Sequence, residues 1–276
     1  MRFTKMNGAG NDFLLLNNLE EKIPPEDLPR IARILCHRRL SIGADGLMAV
    51  DRPERGGDFK MLFFNADGSA GEMCGNGARC ICRYGYEKGL AGEVQRVESP
   101  SGMVTGRRID RQNYEVCLTD PTVIDLDYPL VYQGTTYPCA YIELGTPGLP
   151  HAVVPLADLD RRSEEELRPL GAALRSHPSF PKGANVNFCQ ITGPDQVREL
   201  TFERGVEDFT MACGTGTGAT VLALTLQGKV SGRDVAVTVP GGLLRLTVER
   251  EGERFRLRLT GPTNIVAEGE VTDENL

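Results

Sequence analysis

Two short segments read as copies of one another: Met73-Cys74-Gly75-Asn76-Gly77-Ala78-Arg79-Cys80 and Ala212-Cys213-Gly214-Thr215-Gly216-Thr217-Gly218-Ala219. In each, a cysteine ends a polar loop and opens a run of small, helix-competent residues, which puts the sulfur at a helix N-terminus. The first backbone N–H groups of a helix have no intrahelical acceptor and carry the positive end of its dipole. They bind anions and lower the pKa of a thiol placed there. Two such thiols facing one another can act on one carbon.

The similarity extends beyond the cysteines. Residues 59–65 lead to Cys74 as residues 198–204 lead to Cys213. Ser99-Pro100-Ser101-Gly102 matches Val239-Pro240-Gly241-Gly242, and Leu118-Thr119-Asp120-Pro121 matches Leu259-Thr260-Gly261-Pro262. The cysteines stand 139 positions apart, Gly102 and Gly242 140, and Leu118 and Leu259 141. Three ordered matches at nearly one offset indicate internal duplication. The sequence therefore predicts two domains, residues 1–130 carrying Cys74 and residues 131–276 carrying Cys213, with the boundary in the irregular stretch 121–138.

A chain of 276 residues with 40% hydrophobic and 25% charged residues suits an ordered globular protein with a substantial core. Its net charge of −7 argues against nucleic acid or an anionic membrane as the main partner, and the absence of Trp argues against nucleobase stacking. No run is apolar enough for a signal peptide or a membrane span, so a cytoplasmic protein is expected. Eight cysteines in so long a chain point to reduced thiols. Cys74, Cys80 and Cys82 lack the spacing and the histidines of a zinc site, and no metal is expected.

Along the chain, Gly8 and Gly10 would let the turn 7–12 approach a bound molecule, with the Asn11 amide pointing at it. Residues 25–38 read as an amphipathic helix with His37 as a last-turn cation. Asp45 is an Asx-turn residue or a support for the site. Arg79 and Arg83 fall one turn apart, on the solvent side of the first cysteine helix. His151 follows a proline turn in the place the Asn11 loop holds in the first copy, which puts it near a ligand. Residues 163–174 form a capped helix, and Gly183-Ala184-Asn185 leads into a strand. Strand alternation puts Glu203 and Arg204 on opposite sides unless the strand ends between them. Residues 215–226 are almost wholly apolar, a central helix whose first-turn glycines make sense if their amides grip an anion.

Were both helix N-termini to open into one cleft, a carboxylate would accept N–H bonds from Gly75-Asn76 and Gly214-Thr215, with its α-carbon between the sulfurs. One thiolate removes a proton from one face, the other thiol returns one to the opposite face, and the centre inverts. Aligned amides in a dry site stabilise the carbanion without a cofactor. No Lys stands in a pyridoxal-phosphate context. A disulfide oxidoreductase would want CxxC, and a Cys-His hydrolase would want a single thiol with His151 as its partner.

Over essentially the whole chain these residues resemble diaminopimelate epimerase, a cofactor-independent two-cysteine family. The likeness rests on residues 5–13, Phe64-Asn65-Ala66-Asp67-Gly68-Ser69, both cysteine segments, Asn185, Glu203-Arg204-Gly205 and Thr260-Gly261-Pro262. The resemblance implies an α+β fold of two pseudo-symmetric lobes, each a barrel-like sheet around a central helix, with the active site in the interlobe cleft and a homodimeric assembly. It implies interconversion of LL- and meso-2,6-diaminopimelate for lysine and peptidoglycan precursors. Carried over, Cys74 and Cys213 are acid and base, and Asn11 and Glu203 address the reacting amino group. Asn65, Asn185 and Arg204 hold the far end of the substrate.

The chain departs from the family where Gly-Asn-Pro-His is usual and residues 145–151 read Gly-Thr-Pro-Gly-Leu-Pro-His, so that Thr146 or Leu149 replaces a donor amide. Gly46 stands where many members have Gln, and Glu203 lies one residue farther from its cysteine. These changes leave room for a racemase of another amino acid, such as histidine or proline, or for a non-catalytic carboxylate-binding relative.

Overall fold

Both glycine-flanked cysteines open helices whose residues Gly75–Gly85 and Gly214–Leu224 are all buried, and the strands are arranged about them. The computed structural model describes residues 1–71, 74–272 and 274. Glu72 and Met73, which lead into the first cysteine in sequence, lie outside the described residues. Close contacts divide the chain into two compact units, Met1–Val116 with Gly261–Leu276, and Cys117–Thr260.

The first unit carries β1 (Arg2–Gly8), β2 (Asn11–Asn17), α1 (Asn18–Glu21), α2 (Leu28–Leu35), β3 (Gly46–Asp51), β4 (Phe59–Asn65), α3 (Gly75–Glu87), β5 (Val94–Ser99), β6 (Gly102–Arg108) and β7 (Asn113–Cys117). The second carries β8 (Pro121–Asp125), β9 (Leu130–Tyr132), β10 (Thr135–Tyr137), β11 (Ala140–Leu144), β12 (Leu149–Pro155), α4 (Glu164–Arg175), β13 (Asn185–Gly193), β14 (Gln196–Glu203), β15 (Asp208–Thr210), α5 (Gly214–Leu226), β16 (Val235–Val239), β17 (Gly242–Glu251) and β18 (Arg254–Pro262). The final strand, β19 (Asn264–Glu270), returns to the first unit.

The two units repeat one ladder. In the first, β1–β2 is antiparallel, β2–β3 parallel, β3–β4 antiparallel, β4–β5 parallel, and β5–β6–β7 antiparallel. In the second, β11–β12, β12–β13, β13–β14, β14–β16 and β16–β17–β18 follow the same alternation. Parallel neighbours need a crossover. α2 and α4 serve the first parallel pair of each ladder, α3 and α5 the second. Each ladder is then extended by a strand from the other copy: β19 pairs antiparallel with β1, and β8 with β11. This exchange is why the first unit takes the chain's end, which a division into consecutive halves near residue 130 does not include.

Each sheet curls around its central helix. α3 packs on β1, β2 and β3 and also on β6, near the opposite end of the ladder, while α5 packs on β11, β12, β13 and β17. The α+β, barrel-like arrangement follows from that wrapping. Strand β2 is buried continuously from Phe13 to Leu16 because α3 covers one face and α2 the other. In the second unit α4 packs outside the sheet over Val186, Phe188 and Phe202. It opens with a full capping box, Ser163 accepting from Glu166 N–H while the Glu166 carboxylate accepts from Ser163 N–H. No described helix is long and apolar enough to cross a membrane.

Three sequence expectations change. The helix expected over 25–38 is confined to Leu28–Leu35, and His37 lies beyond it, its Nδ1 accepting N–H bonds from Arg39 and Leu40 at 3.2 and 3.1 Å. The irregular stretch 121–138 holds three strands. Arg79 and Arg83 are not on a solvent face but buried, because a helix enclosed by a sheet has no such face there.

Gly8 also has a different purpose from the one expected. A Cβ there would sit 2.9 Å from the Asn76 carbonyl oxygen and 3.1 Å from Cys80 Sγ, so the glycine admits α3, not a ligand. Gly10, at φ +88°, makes the turn after Ala9. The obstacle at Gly8 is backbone, which has little room to shift. Gly8→Ala is therefore expected to destabilise the fold by about 1–3 kcal/mol, as overpacking does, read as a lowered thermal midpoint.

Candidate functional site

In the first unit Cys74 is the N-cap of α3, with extended backbone at φ −120° and ψ 113°. Its sulfur accepts the Gly77 N–H at 3.4 Å and, as a thiol, donates to Asn11 Oδ1 at 3.4 Å. The Asn11 amide is oriented from behind, since its Nδ2 donates to Asp45 Oδ2 at 2.5 Å. Asp45 in turn accepts the Asp12 N–H at 3.1 Å and an Arg38 N–H at 2.7 Å. Burial opposes ionisation of Asp12, but hydrogen bonds from Arg38 and Lys5 outweigh it and hold that carboxyl below the usual range. This network leaves Asn11 Oδ1 facing the sulfur, an acceptor suited to an ammonium group. Asp45 is thus a support for Asn11, one of the two readings its sequence position allowed.

Asn65 closes β4, where its Nδ2 donates to Ser69 Oγ at 2.9 Å and its backbone N–H to Ser69 O at 2.9 Å. Asn76 is buried, and its Oδ1 accepts from Arg79 Nη2 at 2.8 Å. The glycines of the helix openings are there at least in part for packing. A Cβ on Gly77 would lie 2.0 Å from Met48 Cε, one on Gly216 2.3 Å from Asn187 Oδ1, and one on Gly218 2.7 Å from Leu118 Cδ1. Gly46 is closed in the same way by Phe63 and the Phe64 carbonyl, each 2.7 Å from a Cβ built there.

In the second unit Cys213 is the N-cap of α5, at φ −116° and ψ 105°, with its sulfur 3.5 Å from Thr215 Oγ1. Burial and then the negative charge of Glu203 push the Cys213 thiol well above its ordinary pKa. β14 ends at Glu203, and Thr210 Oγ1 donates to Glu203 Oε2 at 2.9 Å. Asn185 Oδ1 accepts the Arg204 N–H at 2.8 Å, and the Arg204 guanidinium donates to Lys182 O at 2.9 Å.

His151 is not in a turn. It lies within β12, fully buried, beside Asn185 in the parallel register with β13. Its Nδ1 pairs with Asn187 Nδ2 at 3.3 Å, and its Nε2 has no partner among the described residues. Asn187, Thr201 and the Glu199–Thr217–Thr220 cluster beneath α5 were not singled out in the sequence. The period-two alternation of β13 and β14 is the signal that puts them on the helix-facing side.

The sequence profile of the family described as diaminopimelate epimerase matches this chain twice, over residues 3–124 and 145–266. The chain belongs to the diaminopimelate epimerase family. The double match agrees with the duplication read from the two cysteine segments. Relatives named diaminopimelate epimerase from Aquifex aeolicus and Moorella thermoacetica are 36% and 38% identical to it, covering 100% and 98% of this chain and 99% of each relative. Solved structures share the fold at much lower identity. A Bacillus anthracis phenazine biosynthesis protein of the PhzF family matches with TM-score 0.76 at 14% identity over 99% of both chains. A probable proline racemase from Agrobacterium radiobacter matches with TM-score 0.72 at 17% identity over 99% of this chain and 93% of that one.

Two buried groups give opposing pH dependences. Burial, and then the nearby Arg204 charge, push His151 down to about 3 from 6.5, so stability is lost as pH falls below the unfolded value toward 3. Burial pushes Glu199 up to about 7 from 4.5, so it favours the folded state at low pH and loses that contribution as pH rises through the same range. The two slopes oppose between 4.5 and 6.5. Replacing His151 exposes one of them: the stability difference between wild type and His151→Gln is expected to change by about 1.4 kcal/mol per pH unit in that window, measured by urea unfolding across pH.

Proposed function

We propose that this isomerase interconverts LL- and meso-2,6-diaminopimelate by two-base proton transfer at Cα between Cys74 and Cys213, without pyridoxal phosphate. The observation that carries the reading is the pair of cysteines, each the N-cap of a buried, glycine-opened helix, in a chain of this family. The substrate carboxylate accepts from the first-turn amides of Gly75-Asn76 and Gly214-Thr215, where electron density of the carbanion collects. Asn11 Oδ1 and the Glu203 carboxylate accept from the reacting ammonium. At the far end Asn65, with Nδ2 engaged by Ser69, presents an acceptor, and Asn185, with Oδ1 engaged by Arg204, presents a donor. Arg204 supplies positive charge there, beside the buried His151.

In the forward step the Cα–H bond breaks to the thiolate of one cysteine, and the thiol of the other gives its proton to the opposite face. The thiolate and the thiol have then exchanged places, and the reverse reaction runs from that state. No disulfide joins the described cysteines. We further infer a reducing cytoplasmic setting, which suits that observation, and a homodimer, the state the family resemblance implies; size-exclusion chromatography tests the latter.

A racemase of another amino acid is the second reading. The observation favouring it is the altered loop between Leu144 and His151, where neither Thr146 nor Leu149 carries an amide side chain. A panel of amino acids assayed by chiral chromatography separates the two. For diaminopimelate, the α-proton should exchange in D2O without added pyridoxal phosphate or metal. Cys74→Ala and Cys213→Ala should each lower turnover by about 10²–10⁴-fold or more, the usual worth of a positioned acid or base. Exchange that requires a cofactor would sink the two-cysteine reading.

A further inference from the structure

We propose that a cavity in the first unit, apart from the cysteine at the head of α3, is a binding site for a doubly charged oxyanion, phosphate or a small dicarboxylate. The cavity measures about 460 Å³ and is lined by Arg83, Arg111, Gln112, Asn264 and Ile265, all of the first unit. It lies where the turn between β6 and β7 meets the start of β19. The Thr263 N–H and hydroxyl both donate to Gln112 O, at 2.8 and 2.6 Å, and Gln112 Nε2 donates to Asn264 Oδ1 at 3.2 Å. Arg83 reaches the cavity from α3, nine positions beyond Cys74, which is about 13 Å of helix.

The lining is rich in donors. The Arg83 side chain is only 7% exposed. Its Nη1 is engaged by Thr263 O at 2.6 Å, and its Nε is enclosed 3.5 Å from Glu87 Oε1, without a hydrogen bond. Nη2 has no partner among the described residues and, unlike Nε, is not enclosed, so it is the donor Arg83 presents to the cavity. Arg111 is exposed and makes no ion pair with a described residue. Asn264, with Oδ1 engaged by Gln112, keeps its Nδ2 as a donor. No carboxylate belongs to the lining, since Glu87 stands on the Nε side of Arg83. Two guanidiniums thus share one cavity with no acid between them. A doubly charged oxyanion that accepts from both removes their repulsion, and the guanidinium fork matches carboxylate and phosphate oxygens.

Packing does not call for a cation here. The second copy builds the equivalent helix and hairpin with Leu222, fully buried, 139 positions beyond Arg83, and with Glu251-Gly252-Glu253 at the turn between β17 and β18. An apolar side chain therefore satisfies the scaffold at this place. A buried guanidinium forfeits several kcal/mol of hydration that leucine does not, and an anion in the cavity offsets that loss. The site does not depend on the proposed reaction, because none of its residues takes part in it.

The test is calorimetric titration of the full chain with inorganic phosphate and with succinate, at an ionic strength held constant by chloride. At least one of the two should bind saturably, and the tighter of them assigns the site to phosphate or to a dicarboxylate. Arg111→Gln should weaken that binding about tenfold or more, as loss of a charge-assisted hydrogen bond does. Arg83→Leu, which installs the residue of the second copy, should abolish it. Amide hydrogen exchange locates the anion: residues 109–113 and 262–266 should slow on binding in wild type and not in Arg111→Gln. Absence of saturable binding by both anions overturns the proposal. So does binding that Arg111→Gln leaves unchanged, the result expected of an anion held at the helix N-termini instead. Arg111 is exposed, so this comparison holds even if Arg83→Leu does not fold.

Discussion

A helix enclosed by a sheet must still satisfy its first backbone N–H groups, and that demand organises this protein. α3 and α5 are buried along most of their length, so packing makes almost every other choice at these helices. Their first turns still carry amides with no intrahelical acceptor, which can donate to an anion. A cysteine at the N-cap supplies one acceptor itself, as Cys74 does for the Gly77 N–H. The same placement favours the thiolate that the proposed proton transfer needs. In the first copy the capping demand and the proposed chemistry thus fall on one atom, while in the second the Cys213 side chain makes no capping bond and burial beside Glu203 opposes its ionisation.

The copies share a ladder and diverge in charge. Around Cys74, carboxylates are neutralised by Arg38 and Lys5 and held behind the Asn11 amide. Around Cys213, Glu203 accepts from the Thr210 hydroxyl, and Glu199 lies beneath the helix with two threonine hydroxyls. Duplication preserved what close packing enforces: the alternation of parallel and antiparallel neighbours, the glycines at helix openings and the N-cap cysteines. It left free the residues whose job is to set potential.

What could be read from the sequence follows the same division. The repeat, the helix starts at Cys74 and Cys213, and the capped helix from Ser163 are local patterns with local causes. The exchange of β8 and β19 between ladders is not local. Val123 and Ile124 on β8 and Val266 on β19 are exposed, so no buried face announces them as strands of another copy's sheet. Arg79 misled for a related reason: periodicity assigns a charged residue to a solvent face, and a sheet-wrapped helix has none there. His151 looked like a turn residue because prolines precede it, whereas its strand begins at Leu149. The glycines were read as ligand-facing because their neighbours Met48, Asn187 and Asn76 are distant in sequence.

A reaction that inverts a carbon with two identical groups needs those groups to differ at the start, one charged and one protonated. A duplicated scaffold by itself supplies no such difference. Equal sulfurs at equal helix ends would have equal proton affinities, and part of the enzyme would then rest with both sulfurs protonated or both charged, unable to act on either stereoisomer. The Glu203 carboxylate breaks that equivalence, since its negative charge disfavours the thiolate at Cys213. Glu203 stands at the end of a strand one residue longer than β4, a point where the two copies already differ. The asymmetry that the proposed reaction requires therefore falls on a side chain outside the packing that the two copies share.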